Sequence, residues 1–160
     1  MDKKKRKEAR KLFDLLRDAF DGRGFKYGKQ EKDDELGIFF SVQKGELWVD
    51  YRFVIDAERM LIRLYSVLPA QFAGGMDGAL AVCLINQTLT DGCVDYAPEE
   101  GSCLFRLNVS FADSKISEDV FDDMYQCAMT VAETFSLPLR KLSGGEISYE
   151  EFRNQILPNA

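Results

Sequence analysis

The sequence predicts an α+β domain: an antiparallel sheet, made of a meander plus a later hairpin, with helices mainly on one face. Three observations predict it. Large apolar residues alternate with polar ones from Leu36 to Leu68, the two-residue period of half-buried strands. Apolar residues recur at i, i+3, i+4 and i+7 near both ends of the chain, the period of amphipathic helices. Strand clusters separated by helices, in the order α-β-β-β-β-α-β-β-α-α, belong to the α+β class. A chain of 160 residues fits one domain over 1–160 and buries about 68–70% of its unfolded surface without staples.

Residues 3–20 read as the first helix, with Ala9, Leu12, Phe13, Leu16, Ala19 and Phe20 on one stripe and Gly22-Arg23-Gly24 as its stop. Its start is basic. Residues 2–11 hold seven Lys or Arg against two acids, a net +5, so the rest of a chain of net charge −6 carries −11. Residues 1–8 read as a mobile basic end. This run is either a tail for nucleic acid or acidic surfaces, or a solvated helix end attracted to an acidic body. No aromatic is interleaved before Phe13, which favours the second. Phe25-Lys26-Tyr27 reads as a short edge strand, and residues 28–35 as a polar loop.

The meander can be paired on paper. A turn at Lys44-Gly45 sets Val42 opposite Leu47, Phe40 opposite Val49, Ile38 opposite Tyr51 and Leu36 opposite Phe53. A turn around Ala57-Glu58 sets Ile55 opposite Met60, Phe53 opposite Ile62 and Tyr51 opposite Leu64. A one-residue slip would scatter these side chains over both faces. Pro69 is expected to end the third strand of the meander, and Phe72-Ala73-Gly74-Gly75 to form a flexible link. A second helix is predicted from about Asp77, its N-cap, to Leu89. It is apolar on every side, so it is either sandwiched inside the domain or placed at a subunit interface. Leu80, Val82, Leu84 and Ile85 are its candidate dimer residues. A second hairpin turns around Glu99-Glu100 and sets Val94 opposite Phe105 and Tyr96 opposite Cys103, with Arg106, Asn108 and Ser110 pointing away. Ser117 caps the third helix, whose core stripe is Phe121, Met124, Ala128, Val131 and Phe135, and which Pro138 is expected to end. Ser148-Tyr149-Glu150-Glu151 is a capping box that opens a short last helix to about Leu157.

Little in the composition points to catalysis. The chain has no histidine, so the commonest general base and every histidine-activated nucleophile are missing. Cys83, Cys93, Cys103 and Cys127 form no C-x-x-C pair, and no metal or other cofactor is expected. They read as reduced thiols of a cytoplasmic protein. A Cys93–Cys103 disulfide is disfavoured because the proposed hairpin points the two side chains to opposite faces. No segment is apolar over the 18–20 residues of a membrane helix, and the charged start lacks the apolar core of a signal peptide. Gly74-Gly75-Met76-Asp77 precedes a helix and could cradle an anion, but a plain turn explains it. The acidic pairs Asp33-Asp34, Glu99-Glu100, Asp122-Asp123 and Glu150-Glu151 fall on loops, a turn and helix starts, where solvation and the helix dipole account for them.

The other face of the meander is the candidate binding surface. The same register sets Trp48 opposite Val67, Asp50 opposite Tyr65, Arg52 opposite Arg63, Val54 opposite Leu61 and Phe39 across from Asp50. A face open only to water should be polar. Phe39, Trp48, Arg52, Arg63, Tyr65 and Val67 instead combine aromatics with arginine, the composition of binding hot spots. Either a helix or the 28–35 loop covers this face, or a partner does.

Four short stretches resemble the YbjN family, whose fold is similar to that of type III secretion chaperones. They are Leu84-Ile85-Asn86 with Gly92 at a helix-to-strand junction, and Gly101 with Phe105-Arg106 in the second hairpin. Ile116-Ser117 with the helix through Phe135 is the third, and Leu142 to Ser148 with Gly145 and Glu150-Glu151 the last. The resemblance spans about residues 8–155. It implies a bacterial, cytoplasmic, non-enzymatic regulator or chaperone-like adaptor with no catalytic residues. Such chaperones are small acidic dimers that hold an extended segment of a protein partner. The basic first ten residues depart from that pattern. A homodimer, no membrane partner and no nucleic-acid partner are expected. The alternatives are a small-molecule sensor with a pocket between sheet and helices, and nucleic-acid or acidic-surface binding through residues 3–11.

Overall fold

The computed structural model describes residues 3–32 and 35–158. Four helices and six strands run in the order α1 (Lys3–Gly22), β1 (Gly28–Glu31), β2 (Glu35–Lys44), β3 (Leu47–Asp56), β4 (Leu61–Gln71), α2 (Asp77–Asn86), β5 (Cys93–Ala97), β6 (Ser102–Ser110), α3 (Glu118–Ser143) and α4 (Tyr149–Ile156). This is the expected class and order. The strands form one antiparallel sheet, β1-β2-β3-β4-β6-β5. The basic run from Lys3 onward continues α1 as helix.

The core lies between one face of the sheet and the helices. Phe13, Leu16 and Phe20 of α1 and Phe121, Met124, Ala128, Val131 and Phe135 of α3 are buried against Ile38, Tyr51, Phe53, Ile55, Ile62 and Leu64. Both helical stripes are thus the ones the spacing marks. Aromatic rings join the layers: Phe20 lies 5.1 Å from Phe40, and Tyr125 lies 5.3 Å from Tyr51. Among the described residues no helix packs on the sheet's other face.

The meander's register differs from expectation by two residues at both turns. The first loop is Gly45-Glu46, so Val42 faces Val49, Phe40 faces Tyr51 and Ile38 faces Phe53. Gly45 takes φ 59 as the first residue of a two-residue loop, the position where primed hairpin turns need positive φ. The second loop has four residues, Ala57 to Met60. Asp56 Oδ1 accepts from Arg59 N at 2.9 Å, which widens the turn, so Ile55 faces Ile62 and Phe53 faces Leu64. A shift of two keeps every side chain on its own face. The second hairpin pairs as expected, Val94 with Phe105 and Tyr96 with Cys103.

Three boundaries are corrected. The first strand is Gly28–Glu31 rather than 25–27. Part of the polar stretch therefore pairs with β2, while Phe25 turns its ring onto Phe20 and Phe40. Pro69 lies inside β4, at a register shift between Leu68 and Gln71. A proline is tolerated there because the ladder is already interrupted. Pro138 lies inside α3, which runs on to Ser143. A mid-helix proline costs about 3 kcal/mol. Leu139 and Leu142, both buried beyond it, each return about 1.5–3 kcal/mol.

α2 is shorter than expected, and Asp77 is its first residue rather than its cap. The helix is apolar all round because it packs between β5, α3 and α4. Asn86 fastens its end. Its Nδ2 donates to Val94 O at 2.9 Å and its Oδ1 accepts from Val94 N at 2.7 Å, as a neighbouring strand would.

The capping box of α4 is present: Glu151 N donates to Ser148 Oγ at 3.2 Å, and Ser148 N donates to Glu151 Oε2 at 2.7 Å. The Ser148 backbone N–H, then its hydroxyl, hold the Glu151 carboxyl below the ordinary carboxylate value. A lowered folded pKa means the cap is at full strength above the ordinary value of about 4.3 and fails as pH falls through the lowered one. Amide exchange of α4, relative to that of an unstructured chain, is therefore expected to accelerate as pH falls below the ordinary carboxylate range. Ser148→Ala is expected to make it fast at every pH.

Candidate functional site

The helix-free face of the sheet is built from alternate residues of five strands. Cross-strand pairing places Gly28, Phe39, Arg52, Tyr65 and Arg106 in one row and Gln30, Gly37, Val54, Arg63 and Asn108 in the next. A third row holds Ser41, Asp50, Val67 and Leu104. The expected pairs are corrected accordingly. Arg52 faces Tyr65 rather than Arg63, Arg63 faces Val54, Val67 faces Asp50, and Phe39 faces Arg52. The true register sets an arginine beside an aromatic where the expected one opposed two cations.

Phe39, Trp48 and Val67 are 48%, 60% and 45% exposed, high values for side chains of this size. Phe39, Arg52, Arg63, Tyr65 and Val67 share the wall of an open hollow of about 610 Å³. Trp48 flanks it from beyond Asp50, near the hairpin tip, and does not line it. Leu104 of β6 also lines it, as sequence reasoning missed. Alternation within β6 puts Leu104 on the same side as Arg106, but nothing local in the sequence says that β6 lies beside β4. The described residues of the 28–35 stretch do not cover the face. Its strand lies in the sheet plane, where a Cβ on Gly28 would collide with the Phe39 ring leaning over it. The hollow lies on the sheet's open side, not between sheet and helices.

The polar groups of this face are mostly engaged. Arg63, largely buried, bonds Asp56 Oδ2. Burial opposes its charge, but the Tyr65 hydroxyl and the Asp56 and Glu35 carboxylates outweigh that and raise its pKa. Arg106 Nε bonds Asp95 Oδ2 at 2.9 Å, and Ser41 Oγ donates to Asp50 Oδ1 at 2.5 Å. Arg52 donates to Gln30 Oε1 at 2.9 Å, an uncharged partner.

The other candidate residues are dispersed. Val82, Leu84 and Ile85 are buried within the chain. Leu80 remains outside, 40% exposed. It aligns at helical spacing with Met76 and Cys83, both exposed. In the basic run, Lys5 Nζ bonds Glu58 O at 3.0 Å and Arg10 bonds Glu31 at 2.8 Å, so part of this charge is turned onto the domain itself. Asp33-Asp34 lies outside the described residues. Asp122 pairs with Arg23, which lowers its carboxyl pKa. All four cysteines are free thiols, and burial pushes Cys103 up to about 11, away from reactivity. Among the described residues no group of His, Cys, Asp or Glu is placed to hold a metal ion, and no helix is long and apolar enough to cross a membrane.

No family model and no curated protein matches the sequence. Two solved structures are similar. A chain of the ExsC–ExsE complex has a TM-score of 0.63 at 17% identity, over 84% of this chain and 98% of that one. A chain of the HopA1–SchA chaperone–effector complex has a TM-score of 0.52 at 13% identity, over 76% of this chain and 91% of that one. At such identities the likeness is one of fold, and the α+β architecture expected from the resemblance to type III secretion chaperones is the architecture found.

Proposed function

We propose that this chain is a non-enzymatic, protein-binding regulator or chaperone-like adaptor of the bacterial cytoplasm that holds an extended segment of a partner on the open face of its sheet. The observation that carries the reading is the sheet face on which exposed Phe39 and Val67 line a hollow with Arg52 and Arg63, and exposed Trp48 flanks it. Fold likeness to a chain from a chaperone–effector complex supports it, as does the resemblance to the YbjN family. The face is favoured over the sheet's edges. β1 and β5 have four and five residues and carry Lys29, Glu31 and Asp95, and short charged edges resist strand addition.

Affinity capture from a bacterial host with mass spectrometry tests the reading. The wild-type chain is expected to retain proteins that Val67→Asp loses. Identical captured sets would refute it.

Homodimerisation is part of the proposal, and the exposed α2 stripe of Met76, Leu80 and Cys83 is its seam. Light scattering is expected to give twice the 18.2 kDa chain mass, and Leu80→Glu to give single chains. A strict monomer at high concentration would remove the dimer.

A further inference from the structure

A second hollow, of about 340 Å³, lies on the helix side between the β2–β3 hairpin tip and the C-terminal half of α3. Its size is at the lower end of small-ligand sites, about 300–1,000 Å³. Leu47 and Val49 of β3 and Ala132 and Leu137 of α3 give it apolar walls. Ala132, Ser136 and Arg140 recur every four residues, so they form one stripe of α3 along it.

Two polar groups on that stripe are unsatisfied. Ser136 is only 3% exposed, and its Oγ has no hydrogen-bond partner. Arg140 Nε is buried without one, and no carboxylate among the described residues forms an ion pair with Arg140. A buried polar group left unpaired is costly, and Ser136 and Arg140, one turn apart on α3 beside the hollow, would each be satisfied by an acceptor placed there. A carboxylate can accept from both a hydroxyl and a guanidinium. Exposed Glu46 and Glu133 stand at the mouth. They disfavour ligands that carry further negative charge outside the head group.

The geometry points to a binding site for a singly charged amphipathic carboxylate, its head on Ser136 and Arg140 and its short apolar body against Leu47, Val49 and Leu137. This site is separate from the open face, and neither depends on the other. The same chemistry occurs in a free medium-chain fatty acid and in the carboxyl-terminal leucine of a peptide.

The full-length chain is titrated with octanoate and followed by backbone amide shifts. Shifts are expected at 45–49 and 132–140, with octanol and octylammonium at least tenfold weaker. Arg140→Gln is expected to weaken octanoate about tenfold or more, as loss of a charge-assisted bond requires. Ser136→Ala is expected to weaken it severalfold while raising the apo melting temperature by about 2–4 °C, because the unpaired hydroxyl is gone. A purely structural serine would not separate these two readouts, and this variant decides the matter if Arg140→Gln fails to fold. A short peptide ending in leucine, tested as free acid and as amide, identifies the source: binding of the acid alone assigns the site to a chain terminus, and binding of octanoate alone assigns it to a small acid. Equal binding of octanol and octanoate, shifts only elsewhere, or binding of neither probe would overturn the site.

Discussion

Phe53→Ala is expected to cost about 3–5 kcal/mol, as truncation of a buried phenylalanine does. For a chain of this length that lowers the melting temperature by roughly 6–20 °C. Total stability for such a domain is about 5–15 kcal/mol, so one side chain carries a large share. Phe53 is fully buried at the middle of β3. Its ring meets Phe20 of α1 edge-on at 6.0 Å and Phe121 of α3 edge-on at 6.0 Å. Cross-strand neighbours Ile38 and Leu64 close the remaining sides. The same ring therefore docks both long helices, and no neighbour is free to fill the space it leaves. Urea unfolding of Phe53→Ala, Phe121→Ala and the double variant checks this. The double loss should fall short of the sum by about 0.5–1.5 kcal/mol, the coupling of a contacting aromatic pair. A loss below 1 kcal/mol for Phe53→Ala alone would mean that the core is not organised around β3.

The sequence reveals which face each residue occupies more reliably than which residue it faces. Alternation decides the first, and a two-residue error at Lys44-Gly45 and again at Ala57-Glu58 leaves it untouched. Turn chemistry decides the second. Gly45 reads equally well as the first or second loop residue until its φ of 59 is known. The widening by Asp56 is a side-chain effect that no pattern of apolar residues displays. The hairpin at Glu99-Glu100 is legible because Pro98 and Gly101 bracket it. Pro69 and Pro138 mislead for a common reason: local propensity predicts a break, and burial of Leu139 and Leu142 or an existing bulge overrides it. The neighbourhood of β4 and β6 is the least legible feature. A helix and a strand separate them in the chain, no turn joins them, and so Leu104 and Arg106 could not be placed beside Tyr65. For α2, an apolar surface on all sides implies cover without naming its source. The packing of β5, α3 and α4 supplies it within one chain and leaves Leu80 exposed.

Trp48→Ala is expected to weaken partner binding about thirtyfold, and Phe39→Ala with Trp48→Ala a hundredfold or more, while stability stays within about 0.5 kcal/mol. The two expectations separate because of where the side chains stand. Both are about half exposed or more, and exposed side chains without special contacts contribute little to folding. Aromatic anchors at an interface commonly contribute 2 kcal/mol or more to binding, and each 1.4 kcal/mol is tenfold. Phe39 and Trp48 sit on adjacent paired strands, held by a ladder from Glu35 to Lys44 opposite Asp56 to Leu47, so little ordering entropy is lost when a partner covers them. Gly28→Ala is the finer probe. The added Cβ displaces the Phe39 ring without deleting it, and binding should fall less than for Phe39→Ala. Arg63 is unsuited to the same purpose, because its removal leaves the buried Asp56 carboxylate without its cation and costs about 3–5 kcal/mol of stability, which confounds a reading of binding. Titration calorimetry with a captured partner, beside thermal melts of each variant, reads both quantities. Loss of stability in step with affinity, or unchanged affinity in the double variant, would move the binding site away from this face.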